Sequence, residues 1–354
     1  MEVVFIVNPA AKNGRSLDRW ASFRKQIGFP HRTVMTKGPG HAVAVARGLS
    51  SAGDPRPILL VAFGGDGTVH EVIRGAAGFP HVLIGSIGAG SGNDFGRGYR
   101  SFKNADEIAR FTEFGPYDLG TAGAEDRSVF VNSAGVGFDA VISRDVNRSH
   151  FKRAFNRFGA GKLIYAFFIF RALFAFRPFG LMVTAHGRQI RFDKVWLAAV
   201  SNQPYYGGGM MISPGSDPAD GKLELTVIHG LSRLKLLLVF GTVFTGSHVR
   251  FREVYRQAGE RFELTADRAM PVHTDGEDAG LAEPGRAIPF AVRHAAWRLA
   301  GPTRNRKVRD NHESTPQAMG GSLHSRASGN RHSGTGKTEG PVEGSIRQRP
   351  ADPH

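Results

Sequence analysis

The sequence predicts an α/β N-terminal domain with a mostly parallel sheet, followed by a mainly antiparallel β-sandwich domain. Three observations carry that prediction. Short apolar runs alternate with helix-period segments over residues 1–115, as in a sheet whose strands are joined by crossover helices. Beyond Pro116, strand-like runs follow one another between turn-rich segments, the pattern of antiparallel pairing. Two buried N-terminal runs lead directly into glycine clusters, where α/β sheets bind ligands.

Taken in order, Val3–Val7, Thr33–Met35, Ile58–Phe63 and Val82–Gly85 read as strands. Ser16–Ile27, His41–Leu49, Thr68–Ala76 and Ala105–Phe114 read as helices between and after them. In the second part, Ser128–Ser133, Leu181–Ala185, Val195–Val200, Leu223–Ile228, Arg261–Thr265 and Ile288–Val292 read as strands, with a helical insertion around Phe151–Phe176. Residues 1–115 are therefore expected to form a nucleotide-binding α/β domain. Residues 116–300 are expected to form a β-rich domain whose C-terminal end packs back on the first. From Gly301 the chain has only eight apolar residues and no aromatic one in 54 positions. Such a segment cannot bury enough surface to offset its ordering entropy, so 301–354 is expected to be a disordered basic tail.

Composition narrows the function. There are 46 Lys and Arg against 31 Asp and Glu, a formal charge of +15, and no cysteine. The missing thiols exclude disulfides, Cys-ligated zinc, iron–sulfur clusters and thiol catalysis. The N-terminus carries Glu2 and only a short apolar run, unlike a signal peptide. Leu163–Phe176, interrupted by Arg171, is the longest apolar stretch and falls short of the roughly 18–20 residues a bilayer span needs. A soluble or surface-bound cytoplasmic protein is expected. Gly336-Lys337-Thr338 in the tail resembles the end of a P-loop, but Arg331 stands where the first glycine is needed and no strand precedes it.

The first glycine cluster is Gly64-Gly65-Asp66-Gly67-Thr68, between a buried strand and a helix. Glycines let backbone amides approach an anion, and the helix N-terminus adds partial positive charge, so phosphate is the natural guest. The second, Gly85 to Phe95, contains Gly88-Ala89-Gly90-Ser91-Gly92-Asn93-Asp94 and lacks the last glycine of a dinucleotide-binding fingerprint. Asn8-Pro9-Ala10-Ala11-Lys12-Asn13-Gly14-Arg15 ends the first strand with two cations beside a glycine. A tight turn capped by Asp66 and a plain surface loop are the simpler readings of the two clusters.

Together these pieces resemble the diacylglycerol kinase catalytic domain family, the lipid kinases that include sphingosine kinases and bacterial homologues. The resemblance runs from about Val4 to Arg298. It rests on Gly64-Gly65-Asp66-Gly67-Thr68-Val69-His70-Glu71-Val72, Gly92-Asn93-Asp94-Phe95, Asn132 to Asp139, Gly207-Gly208-Gly209-Met210 through Asp220-Gly221, and Asp275-Gly276-Glu277. It implies the two-domain architecture shared by lipid and NAD kinases, with ATP as phosphate donor and Mg²⁺ as cofactor. Asn8, Thr36, Gly64, Gly65, Asp66, Gly67, Thr68 and Ser91 match ATP-contacting positions, with Glu71 and Asn93 close by. Asp66 and Asp94 would manage Mg²⁺ and the phosphates. Asp217, Asp220 and Lys222 align with a structural Mg²⁺ site, although Asp220-Gly221 also reads as a plain turn. Asp275 would accept the proton of the attacking hydroxyl, with Glu277 as an orienting or metal-linked partner. His70 departs from the family, which often has Asn there.

Between Arg144 and Phe179 lie eight basic residues, one acidic residue and nine Phe. Cations with interleaved aromatics suit an anionic membrane surface, and equally suit an amphipathic helix packed on the β domain. The expected function is an ATP-dependent lipid kinase acting on a hydroxyl of diacylglycerol or a related lipid alcohol, peripherally bound to the membrane. A homodimer is compatible with the sequence. An NAD-kinase-like phosphotransferase on a soluble acceptor and a basic nucleic-acid-binding protein remain as alternatives. No recognised nucleic-acid module is present, so nucleic acid is not the expected partner.

Overall fold

The computed structural model describes residues 1–52, 56–88, 93–123, 128–148 and 171–303. Nearly all of the expected tail, and the helical insertion before residue 171, lie outside the described residues. Met1–Arg304 form one compact unit.

Five strands build the N-terminal sheet: β1 (Glu2–Val7), β2 (Arg32–Met35), β3 (Ile58–Gly64) and β4 (Val82–Gly88) from the first part, and the far end of β17 (Ala287–Gly301) from the second. Their order is β2-β1-β3-β4-β17, and all these pairings are parallel. The strands are joined by α1 (Ser16–Arg24), α2 (His41–Ser50) and α3 (Asp66–Ala76), then followed by the short helices α4 (Asp94–Gly98) and α5 (Ala105–Ala109). Alternation sets the two faces of β1. Val4 and Ile6 join Ala42, Ala46, Val69, Val72 and Ile73 of α2 and α3 in one core, while Phe5 and Val7 meet Trp20 and Phe23 of α1 in another. Gly75 is required here, because a Cβ would collide with the Val43 carbonyl of α2.

The second part comprises β5 (Thr112–Ala122), β6 (Ser128–Phe130), β7 (Ser133–Gly137), α6 (Phe138–Arg148), β8 (Phe179–Ala185), β9 (Arg188–Ser201), the small hairpin β10 (Tyr205–Tyr206) and β11 (Met210–Met211), and β12 (Leu223–His229). It continues with α7 (Arg233–Val243), β13 (Val254–Gly259), β14 (Arg261–Ala266), β15 (Met270–Thr274) and β16 (Glu277–Ala282). Apart from the hairpin, its strands pair antiparallel in the order β16-β15-β7-β9-β8-β14-β17, with β12 and β13 added at β9. Trp196, Phe138, Phe176 and Phe262 anchor its core. The fold class is therefore a parallel α/β domain followed by an antiparallel β-sandwich. β17 spans both: Arg261↔Ala291 is antiparallel to β14, and Leu299↔Ile84 is parallel to β4. No helix among the described residues is long and apolar enough to cross a membrane.

Some local expectations differ from the structure: the single strand expected over Ser128–Ser133 is divided into β6, which ends at Phe130, and β7, which begins at Ser133. The helix expected over Ala105–Phe114 stops at Ala109, and Thr112 already pairs with Gly301 of β17. Phe111 and Phe114 mimic helical spacing, but long-range pairing wins over that local signal. Helix α7 carries apolar residues all round, so it shows no helical period to read.

Candidate functional site

Parallel pairing brings four strand ends to one edge. Val7 is level with both Met35 and Phe63, and Gly64 with Gly88, so Asn8, Thr36, Gly65 and Gly88 share one edge. The Asn8 amide donates to Phe63 O at 3.0 Å, and Asn8 Nδ2 donates to Thr68 Oγ1 at 3.0 Å. Gly64 has no substitute here: a Cβ would strike the Thr68 hydroxyl. The chain then enters α3 with Asp66 half-buried and Gly67 exposed, leaving the first amides of the helix at the edge.

Glu71 faces the other way. Its carboxylate accepts from the Gly40 amide at 2.9 Å and the Ala42 amide at 3.1 Å. It therefore braces the Thr36–Ala42 segment and the start of α2. The backbone of Thr36 is fixed by its amide donating to Val7 O at 2.8 Å. Ser91 lies outside the described residues. Asn93 adopts a left-handed backbone (φ 60°), and its side chain lies close to Gly88 and Gly96, where a Cβ would crowd it.

Asp66 and Asp94 join the two glycine loops. The Asp94 amide donates to Asp66 Oδ2 at 3.0 Å, and the Asp94 carboxylate accepts from the Gly208 amide at 2.6 Å and from Arg97 at 2.9 Å. Gly207, Gly208 and Gly209 all have positive φ, which lets this loop present its amide. Burial raises the Asp94 carboxyl above its usual range; the Gly208 amide opposes that shift and the charge of Asp66 adds to it. A cation on a nucleoside triphosphate needs one or two carboxylates plus phosphate oxygens and water. This pair of carboxylates, joined through the Asp94 amide, is of the kind that requirement names.

The Asp217–Lys222 turn has a different character. Asp217 Oδ1 accepts from the Ala219 amide at 3.0 Å, Asp220 Oδ1 from the Lys222 amide at 2.9 Å, and all three side chains are exposed. Buried Asp118 ties the turn down by accepting from the Gly221 amide at 2.8 Å. Among the described residues no three His, Asp or Glu side chains gather as a metal cluster. One oxygen of each Asp side chain is thus engaged within the turn.

Asp275 occupies the tight turn between β15 and β16 with a left-handed backbone (φ 50°). Its carboxylate accepts from three successive amides, Val131 and Asn132 at 2.8 Å and Ser133 at 3.2 Å, and lies 3.3 Å from His70 Nδ1. His70 follows Asp66 by about one turn of α3, roughly 6 Å along the helix, so α3 links the glycine loop to Asp275 through His70. On its other side His70 Nε2 is 3.1 Å from Asn132 Nδ2. Glu277 separates from Asp275: it is 66% exposed and reaches Arg74 at 4.0 Å.

Sequence reasoning did not single out a second buried pair. His273 Nε2 lies 3.0 Å from Asp139 Oδ2, and a Cβ on Gly135 would overlap both. Tyr206 stacks on His273 at 6.2 Å. Burial holds the Tyr206 phenol well above its usual range, with the charges of Asp139 and Asp94 adding to the shift. Asp139 stood at the end of the Asn132–Asp139 motif, and that was its only signal.

Comparison with known proteins agrees with this architecture. The diacylglycerol kinase catalytic domain matches residues 2–121, and the YegS C-terminal NAD kinase beta sandwich-like domain matches residues 132–295. The protein is 30% identical to YtlR of Bacillus subtilis over 288 residues, 78% of this chain and 93% of that one. It is also 30% identical to the diacylglycerol kinase of Mycobacterium tuberculosis over 309 residues, 82% of this chain and 94% of that one. A crystal structure from Bacillus anthracis superposes with a TM-score of 0.64 at 21% identity, covering 84% of this chain and 96% of the other, which supports the fold. With both domains matched in order and curated relatives covered nearly end to end, the chain belongs to the diacylglycerol kinase catalytic domain family.

Proposed function

We propose that the protein is a lipid kinase that transfers the γ-phosphate of ATP to a hydroxyl of diacylglycerol or a related lipid alcohol, on the cytoplasmic side of an anionic membrane. The observation that carries this reading is the contact of Asp66, Asp94 and Gly208 at the sheet edge, with Asp275 held against His70, one turn further along α3. A phosphate loop and a buried carboxylate are thereby held on opposite ends of the same short stretch of helix. Phosphoryl transfer depends mainly on positioning and on stabilising charge at the phosphate oxygens.

In this reading the amides of Gly65–Thr68 and the N-terminus of α3 hold the phosphates. Asp66 and Asp94 would hold Mg²⁺, which supplies charge neutralisation when bound. The acceptor hydroxyl enters from the side of β15, and Asp275 takes its proton. Both Asp275 oxygens already accept within the protein, so the hydroxyl displaces the longest of those contacts, the Ser133 amide at 3.2 Å or His70 at 3.3 Å. Asn8 and Glu71 keep the walls of the phosphate site in place through Thr68 and the Gly40–Ala42 amides.

The test is labelled ATP and Mg²⁺ with purified protein, offered diacylglycerol, sphingosine, monoacylglycerol, undecaprenol and NAD separately. A labelled lipid product that disappears in Asp66→Ala is expected. Labelled NADP as the only product would overturn the lipid assignment.

A further inference from the structure

We propose that the outward face of α7, together with Phe174, is the surface by which this protein docks on an anionic lipid bilayer. The inference rests on the lipid-kinase reading only in naming a bilayer as the natural partner; the surface itself is seen independently. Helix α7 is apolar on both sides. Leu236, Val239 and Val243 are buried in the β-domain core, while Leu234 (79% exposed), Leu237 (39%), Leu238 (74%) and, just past the helix, Phe244 (51%) point to solvent. These outward positions follow the i, i+3, i+4 and i+10 spacing of one helical face.

Phe174, 70% exposed, extends the patch from a neighbouring segment. Arg233 at the start of α7 fastens that segment: Nε donates to Leu173 O at 3.1 Å, and Nη2 lies 3.4 Å from Phe176 O and 3.5 Å from Phe174 O. Apolar side chains are thus gathered on two elements held together, a concentration that marks an interaction surface rather than scattered exposure.

Charge selects the occupant. Arg171 and Arg177 flank Phe174 and are exposed; Arg250 and Arg252 are exposed beyond the other end of α7. The nearby acid, Glu253, is already engaged by Lys235 at 2.6 Å and Arg252 at 3.2 Å. Arginines around an apolar disc suit a bilayer bearing anionic headgroups. A second copy of the chain would instead bring these like charges together. The chain just past α7 also lies against the hairpin whose loop reaches Asp94. A Cβ on Gly246 would lie 2.9 Å from Met211 Sδ, and Met211 pairs with Tyr205 across the hairpin whose loop sends the Gly208 amide to Asp94.

The test is sedimentation of the full chain with phosphatidylcholine vesicles containing phosphatidylglycerol, and with phosphatidylcholine alone, in the absence of ATP. Parent protein is compared with a Leu234→Gln, Leu238→Gln, Phe244→Gln variant, and each is assayed on detergent-dispersed lipid. The parent should bind the anionic vesicles preferentially and lose binding at high salt. The variant should bind at least about tenfold more weakly while keeping its detergent activity and its thermal midpoint. Equal vesicle binding by variant and parent would overturn the proposal. So would a parental dimer that the variant converts to monomer without changing vesicle binding, which would assign the face to a second copy. A fall in thermal stability at unchanged vesicle binding would assign it to the chain's own packing. Intact vesicle binding with no lipid product in detergent would count against the kinase reading and leave the docking face standing.

Discussion

His70 Nδ1 lies 3.3 Å from Asp275 Oδ2, joining the helix that starts at the Gly64–Thr68 loop to the turn that closes the β-domain hairpin. Both side chains are 7% exposed. Asn132 Nδ2, 3.1 Å from the opposite ring nitrogen, completes the bridge. The amide can donate to Nε2 in the tautomer that carries its proton on Nδ1, facing the carboxylate. An asparagine here, as the wider family often has, offers a shorter amide that cannot span both partners in the same way.

His70→Ala is therefore expected to strand Asn132 and one side of Asp275, and to cost about 1–3 kcal/mol of stability. His70→Asn should recover part of that loss. Chemical denaturation of the three proteins checks the order, and equal stability of parent and His70→Ala would show that the bridge contributes nothing.

Asp275→Asn should lower turnover by roughly 10²- to 10⁴-fold while ATP binding survives. The asparagine NH₂ would also meet one of the amides of Val131–Ser133, so a thermal melt must accompany the kinetics. Glu277→Gln should change turnover little, since that carboxylate is exposed and turned toward Arg74. If Glu277→Gln is the inactive variant and Asp275→Asn turns over normally, the proton acceptor is the other carboxylate.

Glu71→Ala removes the acceptor for two amides, each hydrogen bond to a charged group being worth about 1.5–3 kcal/mol. The Thr36–Ala42 segment should loosen, raising KM for ATP by about tenfold or more with a smaller effect on kcat. A variant that loses kcat at unchanged KM would place Glu71 at the reacting phosphate.

These residues differ in how far the sequence revealed them. The Gly64–Thr68 loop was legible because its demand is local: Gly64 must clear Thr68, four residues away, and the strand and helix on either side carry their own periodicity. Asp275 was legible through its Asp-Gly-Glu motif. Its contacts with Val131–Ser133 and His70 join positions more than 140 residues apart, and no local pattern encodes such pairings. The same reason hid β5, where pairing with β17 overrode a helix-like spacing. Glu71 shows another limit, since nothing in its motif pointed to its hydrogen bonds with the Gly40–Ala42 backbone, about 30 residues away.

Asp94 provides a pH test of the cation site. Burial, with Asp66 adding to it, holds this carboxyl above its ordinary 3.8, so the free folded protein keeps a proton there at pH values where the unfolded chain has lost it. The stability this proton lends is present at low pH and is lost as pH rises through the folded-state pKa. Bound Mg²⁺ favours the ionised form, so Mg·ATP binding in mildly acid solution should release protons and tighten as pH rises. Calorimetry in buffers of different ionisation enthalpy measures the release. A binding heat independent of the buffer would remove Asp94 from the cation's neighbours.

Glu253 sets a second pH dependence, this time beneath the proposed docking helix. Its carboxyl is lowered from 4.5 to about 2, first by the hydrogen bond from Lys235, with burial opposing and Arg252 assisting. The folded state therefore binds fewer protons than the unfolded chain between those values. The stabilisation is complete above about 4.5 and disappears as pH falls toward about 2. Glu253→Gln should melt below the parent at neutral pH, and the gap should close on acidification through that window. Lys235→Met should show the same narrowing, because it removes the group chiefly responsible for the shift. Thermal melts of the three proteins across the window decide the matter: a gap that stays constant from neutral to acid pH would mean that Glu253 supports α7 by packing, and that its charge has no part in holding the helix.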